Sequence, residues 1–400
     1  TKDGSALDLS RRVLSLSLSS TVAVAQKAAA LRAQGERVLD FSVGEPDQPT
    51  PAHIKAAAVV ALEKDRTRYT PAAGIAELRA AVADRYVKDF GVKFAPEEVA
   101  VTAGGKQALY LACQALLDRN DEVIIPSPYW PTFAESVRLA GGRPIAVRAQ
   151  EKDGFKVTAR LVSKATTPRT KAVIINSPNN PTGAVIDPED LLVIGDMAQR
   201  RGFTVLYDDT YARMTFEGRD HSALQQLREA VGDRFAVLGT ASKSYCMTGW
   251  RIGWLMGPRV LVDAATALVS HSTQCTTAFA QLGALEAMTG PQGFVDDLLE
   301  EYRRRRDRLH EVLSGIPGVT CVKPGGAFYL FPNVAKCLGP GMPTAVHLAT
   351  RLLEQAKVAV VPGEAFGAPG HIRVSFARPM AELEEGGRRI RDFLAGLRGD

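Results

Sequence analysis

The sequence predicts an α/β protein in two parts: a large domain on a mostly parallel sheet with helices on both faces, and a smaller α/β domain. Three observations carry this reading. From about residue 95 to 257, short apolar runs alternate with helical stretches, as βαβ units do. Runs such as Val123-Ile124-Ile125 and Ala172-Val173-Ile174-Ile175 are apolar at every position, as strands buried on both faces are. After Pro291 the pattern changes to one long amphipathic stretch followed by short strands, and 400 residues are too many for one ordinary core.

The strands expected in the large domain are 99–102, 123–126, 144–147, 172–175, 203–207, 236–239 and 252–256. Between them, helices are expected at 105–117, 132–140, 188–200 and 222–231. In the C-terminal part, residues 294–313 read as one helix, with Leu298, Leu299, Tyr302, Leu309, Val312 and Leu313 on its apolar side. Strands at 319–322, 327–331, 358–361 and 372–376 and helices at 345–355 and 381–397 complete the smaller domain. The N-terminal residues precede the turn Gly44-Glu45-Pro46-Asp47 and are assigned to it. The expected division is therefore 45–295 for the large domain, and 1–44 with 296–400 for the small one.

Composition excludes several classes of function. A net charge of +5 spread over the chain is too weak for nucleic-acid binding, though compatible with an anionic ligand. The run Arg303-Arg304-Arg305-Arg306 is flanked by Glu300, Glu301, Asp307 and Glu311 and reads as a solvated helical face. Five scattered cysteines without CxxC spacing argue against a disulfide framework or zinc site and for a reducing cytoplasm. The histidines show no metal-ligand pairing, and no membrane span or secretion signal is expected.

The chemistry lies in the loops after the strands, where such folds bind ligands. Ala103-Gly104-Gly105-Lys106 joins a strand to a helix, and glycines there let backbone amides approach an anion. Neither a dinucleotide nor a nucleoside-triphosphate glycine motif is present. Tyr129 or Trp130, after the next strand, can lie against a flat heterocycle. Asn176-Ser177-Pro178-Asn179-Asn180-Pro181-Thr182-Gly183 offers uncharged amide donors. Asp208, at a strand end, can pair with a protonated pyridine nitrogen, and Tyr211 can reach a nearby phenolic oxygen. In Ser242-Lys243-Ser244-Tyr245-Cys246-Met247-Thr248-Gly249-Trp250-Arg251, the lysine can condense with an aldehyde. Arg251, with Thr240 or Ser242, can grip a phosphate on the same molecule. Arg373 lies in an apolar strand and needs a partner, either a structural ion pair or a substrate carboxylate. Pyridoxal 5′-phosphate carries the aldehyde, the pyridine and the phosphate that these groups suit.

In this order along one chain, the motifs resemble the class I aminotransferases of fold type I, and most closely their bacterial aspartate aminotransferase branch. The resemblance extends from Ser42 to Arg373. It implies a mixed, mostly parallel seven-stranded sheet and a small domain from both termini. It implies that Lys243 is the covalent anchor of pyridoxal 5′-phosphate and the proton carrier, and that Asp208 pairs with the pyridine nitrogen. Asn180 and Tyr211 match the partners of the phenolic oxygen, and Trp130 the stacking ring. Gly104, Gly105, Lys106, Thr240 and Arg251 match the phosphate cradle. Tyr69 matches a tyrosine that reaches the phosphate of a neighbouring subunit, which implies a homodimer with shared sites. Gly44, Trp130, Asn180 and Arg373 match the grip on the substrate α-carboxylate. Lys106 is also similar to a lysine that contacts the distal carboxylate of aspartate, so transfer of an amino group from aspartate to 2-oxoglutarate is expected. Some relatives that act on prephenate carry a lysine in the N-terminal segment. Here it reads Ser15-Leu16-Ser17-Leu18-Ser19-Ser20-Thr21, with no lysine, which places that substrate behind aspartate. The alternatives are an aminotransferase for aromatic or aliphatic amino acids, or for prephenate, and, behind these, a β-lyase using the same cofactor.

Overall fold

The seven expected strands assemble into one sheet in the computed structural model, which describes residues 8–14, 16, 20–217 and 222–396. Numbered along the chain, the strands are β1 (Leu39–Asp40), β2 (Val99–Thr102), β3 (Glu122–Ser127), β4 (Arg143–Arg148), β5 (Thr170–Asn176), β6 (Thr204–Asp208), β7 (Phe235–Thr240), β8 (Gly253–Met256), β9 (Tyr329–Leu330), β10 (Val358–Ala359), β11 (Val361–Pro362) and β12 (Ile372–Ser375). The large sheet runs β2-β8-β7-β6-β5-β3-β4. The contacts between β4, β3, β5, β6 and β7 are parallel, and β8 alone lies antiparallel to its neighbours β2 and β7. The connection 241–252 contains no crossover helix, so β8 returns antiparallel.

The uninterrupted apolar runs are explained by what covers them. Ile124, Val173, Val205 and Val237 point into one apolar cluster, while Val123, Ile125, Ile174, Leu206 and Leu238 point into another on the opposite face. The covering helices have clear stops. Helix Pro188–Arg201 begins with proline and ends at Gly202 in the left-handed conformation, and helix Ala76–Phe90 ends in the same way at Gly91. Helices Ala52–Glu63, Ala76–Phe90, Ala159–Ala165, Arg259–Ser270 and Ala278–Thr289 stand outside the expected set, and several of them also cover the sheet.

A second core gathers both ends of the chain. Leu39 and Phe41 share an apolar cluster with Tyr302, Leu309, Phe328, Phe376 and Leu383. β1 pairs in parallel with β10, Phe41 N–H donates to the Ala359 carbonyl, and Ser375 N–H donates to the Phe41 carbonyl. β11, β12 and β9 form a small antiparallel sheet. Helices Gly293–Ser314 and Met380–Gly396 pack on each other beneath it.

Four expectations are corrected. Residues 319–322 form no strand, because Thr320 alone makes a bridge, to Asn333. The expected strand 358–361 is two: β10 belongs with β1 and β11 with β12, and no polar residue in Val-Ala-Val-Val marks the change. The helix expected at 345–355 runs as α-helix only over Ala345–Arg351 and continues as a π-turn over Leu352–Ala356. The arginine run is not a solvated face throughout: Arg305 and Arg306 are 4% and 2% exposed. In the N-terminal segment 15–21, residues 15 and 17–19 lie outside the described residues, as do residues 218–221 and 397. No helix among the described residues is long and apolar enough to cross a membrane.

Candidate active site

The carboxyl ends of β5, β6 and β7 open into a cavity of about 640 Å³, roofed by the start of helix Gly105–Leu116, by Gly44 and by β12. Gly44, Gly105, Lys106, Trp130, Asn180, Asp208, Tyr211, Thr240, Lys243, Arg251 and Arg373 all line it. Gly104 adjoins the cavity through Arg251. Tyr69 does not reach it within the chain and is 84% exposed at the surface.

One end is built for an anion. The helix Gly105–Leu116 has no side-chain cap, so its first N–H groups point into the cavity. Gly104 has a φ of +84°, and a Cβ there would lie 2.3 Å from the Arg251 guanidinium, so only glycine lets the two meet. Arg251 donates to the carbonyls of Thr248 (2.7 Å) and Ala103 (3.2 Å). The Lys106 amine lies 5.0 Å over the Trp130 ring. Partial burial and then the nearby Arg251 lower its basicity. The Thr240 hydroxyl donates to the Ile252 carbonyl at 2.9 Å and lies 2.8 Å from the Ser242 hydroxyl, which brings both hydroxyls to this end.

At the centre, the Lys243 amine donates to the Gly44 carbonyl at 2.7 Å. Burial pushes its pKa down to about 8, with Arg373 and Arg251 adding to the shift and Glu45 and Asp208 opposing it. Asp208 is 5% exposed. Burial raises its carboxyl to about 6, opposed by hydrogen bonds from Thr210 and by Lys243. Asp208 has no salt bridge among the described residues; its Oδ1 accepts the Thr210 N–H at 3.0 Å.

The third group faces them from β12. Arg373 is 2% exposed and forms no ion pair among the described residues. It donates to the Asn180 amide oxygen (2.9 Å) and the Ser42 carbonyl (2.7 Å), and its guanidinium lies 4.4 Å over the Tyr329 ring. Its Nε is buried without a partner. The structural ion pair that could have explained this arginine is thus not found. Tyr211 and Tyr329 share a hydrogen bond at 2.8 Å between their hydroxyls. Asn180 is held by its own N–H, which donates to the Asn176 side chain at 2.8 Å.

Sequence reasoning did not assign Tyr329, Glu45, Asn176 or Thr132. Asn176 and Glu45 were visible within quoted motifs. Tyr329 carried no signal, because an aromatic residue in a short strand reads as core.

These residues fit pyridoxal 5′-phosphate. A buried carboxylate without a cation suits a pyridinium, a lysine of lowered basicity suits an aldehyde, and uncapped amides beside Arg251 suit a phosphate. Arg373 meets no carboxylate and could receive one from a ligand.

Comparisons with known proteins identify the family. A model of the family Aminotransferase class I and II matches residues 36–390. The aspartate aminotransferase of Geobacillus stearothermophilus is 42% identical over 389 residues, 97% of this chain and 99% of that protein. The aspartate/prephenate aminotransferase of Cereibacter sphaeroides is 42% identical, over 95% of this chain and 96% of that protein. Among solved structures, the aspartate aminotransferase of Thermus thermophilus with maleate superposes with a TM-score of 0.92 at 42% identity, covering 96% of this chain and 99% of that one.

Proposed function

The chain belongs to the class I and II aminotransferases and is a pyridoxal-phosphate-dependent transaminase of the aspartate aminotransferase branch; on that premise we propose that it moves the amino group of L-aspartate to 2-oxoglutarate. One observation carries the reading. A lysine amine of lowered basicity, an unpaired buried carboxylate and an unpaired buried guanidinium converge on one cavity.

When bound, pyridoxal phosphate supplies an aldehyde for Lys243 and a cationic ring that accepts electrons from a substrate carbanion. Asp208 holds the proton on the ring nitrogen. Gly104, Gly105, Lys106, Thr240 and Arg251 would hold the phosphate, Trp130 would cover the ring, and Asn180 and Tyr211 would serve the phenolic oxygen. Arg373, with Asn180, Trp130 and Gly44, receives the substrate α-carboxylate in the fork geometry that guanidinium favours. The Lys243 amine, the one basic group at the centre of the cavity, would serve as the base for the substrate Cα proton. The same residues would serve 2-oxoglutarate, which carries the same α-carboxylate.

Lys106 at the cavity wall supports a dicarboxylic substrate, and the Thermus relative holds maleate, itself a dicarboxylate. Prephenate is a second reading, supported by the aspartate/prephenate names of several relatives. Rates with aspartate, phenylalanine, alanine and prephenate as donors or acceptors separate the two.

The proposal extends to organisation. Residues 45–295 would hold the cofactor, and residues 1–44 with 296–400 would form the smaller domain. Exposed Tyr69 supports a homodimer in which it reaches the partner's phosphate. Five free cysteines support a cytoplasmic setting.

The decisive test is Lys243→Ala. The purified protein should be yellow and bleach on adding an amino acid. The variant should lack the absorbance of lysine-bound cofactor and nearly all turnover. Retained turnover would overturn the assignment.

A further inference from the structure

The last residue of β6, Asp208, and the residue after it, Asp209, are two consecutive buried carboxyls that line different cavities. Asp208 lines the main one, while Asp209 lines a small one of about 30 Å³ behind it. The mechanism uses only Asp208, yet Asp209 is 6% exposed and elaborately held. The Tyr86 hydroxyl, from helix Ala76–Phe90, donates to the Asp209 carboxyl in a short hydrogen bond. The Trp254 indole N–H, from β8, donates to the Tyr86 oxygen at 3.0 Å. Trp254 lies directly over Gly239 of β7, where a Cβ would come within 1.9 Å of the indole nitrogen. The Asp209 backbone is tied as well: its N–H donates to the Leu238 carbonyl at 3.2 Å, and its carbonyl accepts the Ala212 N–H at 2.7 Å.

We propose that Asp209, clamped by Tyr86 and through it by Trp254, is a positioning residue that holds the Asp208 carboxylate in place beneath the ring nitrogen of the cofactor. The inference rests on the reading of Asp208 given above.

The charges support it. Asp209 has no ion pair among the described residues. The guanidiniums lining the small cavity, Arg85 and Arg213, turn to Asp89 at 3.6 and 3.3 Å, and Arg213 also donates to the Tyr245 hydroxyl at 2.8 Å. Two adjacent carboxyls in so dry a place do not both ionise. Burial raises Asp209 to about 8, above the value of about 6 for Asp208. Asp209 is thus the carboxyl that stays protonated and acts as a neutral anchor, and Asp208 is the one that carries the charge the ring nitrogen needs.

Three variants test this: Asp209→Asn, Asp209→Ala and Tyr86→Phe. The measurements are the dissociation constant of pyridoxal phosphate from the reconstituted apoprotein, the thermal midpoint, and kcat against KM. Asparagine is neutral and accepts the same hydrogen bond, so that variant should stay within about twofold of the parent in affinity and kcat. Alanine should weaken cofactor binding and lower kcat by on the order of tenfold to a hundredfold, with KM for the amino acid changed less. Tyr86→Phe should move in the same direction and serves alone if the alanine variant does not fold. The inference fails if alanine and phenylalanine lower only the thermal midpoint. It also fails if asparagine is as damaging as alanine, because a charge would then be the active feature. Lys243→Ala assayed beside them separates the two claims. A silent Asp209 series with an inactive Lys243 variant overturns this inference and leaves the function standing.

Discussion

Two sets of buried arginines in this molecule look alike by accessibility and differ in company. Arg305 and Arg306, in helix Gly293–Ser314, are 4% and 2% exposed, and both meet carboxylates. Arg305 pairs with Asp47 and Glu301, both at 2.8 Å, and Arg306 with Glu217 at 2.7 Å and Asp307 at 2.8 Å. Arg373 is 2% exposed and meets only neutral oxygens. A buried charge that is fully compensated ties elements together; Arg305 pins the turn containing Asp47 to the long helix. A buried charge left without a counter-ion leaves room for one, and in the function proposed above that carboxylate is the substrate's.

The largest effect expected from this contrast is at Arg373. Arg373→Met should lower kcat/KM for the amino donor by roughly a hundredfold or more, as loss of a charge-assisted carboxylate contact does. Steady-state kinetics measure it, and unchanged kinetics would make Arg373 another structural arginine. Arg305→Met should act on the other axis. It strands Asp47 without its cation and should cost about 3–5 kcal/mol of stability in denaturant unfolding. A larger loss of stability in the Arg373 variant than in the Arg305 variant would reverse the comparison.

A smaller effect is expected at Lys106. Lys106→Gln should reduce kcat/KM for aspartate about tenfold relative to alanine, because the distal carboxylate loses its cation. An equal loss with both donors would confine Lys106 to the phosphate. The smallest effect concerns pH. The Lys243 amine is protonated below about 8 and neutral above it, and the neutral form is the nucleophile. Covalent uptake of pyridoxal phosphate by the apoprotein should therefore quicken as pH rises and level off above that value. Glu45 opposes the lowered value, so Glu45→Gln should move the midpoint down. A midpoint that moves up would remove Glu45 from the electrostatics of the amine.

Much of the site was legible because its chemistry sits at strand ends. Thr102, Asn176, Asp208 and Thr240 each close a run whose apolar character marks the strand, so the next residues fall at one edge of the sheet. The fate of the arginine run was not legible. Its sequence neighbours are acids at helical spacing, which suits a solvated face, yet Asp47 and Glu217 come from far along the chain. The split at 358–361 was hidden for a similar reason, since two different sheets select consecutive residues of one apolar run.

By itself the sequence determined the sheet-forming runs, the order of the loops and the residue types that suit a lysine-bound pyridoxal phosphate, because those follow from local pattern and intrinsic chemistry. Only the tertiary structure decided which buried charges are satisfied. It set Tyr211 against Tyr329, left Asp208 without a cation and Arg373 without a carboxylate, and tied Asp209 to Tyr86 and Trp254. The physical reason is that a buried group's charge state depends on what surrounds it in space, and those neighbours are drawn from distant parts of the chain.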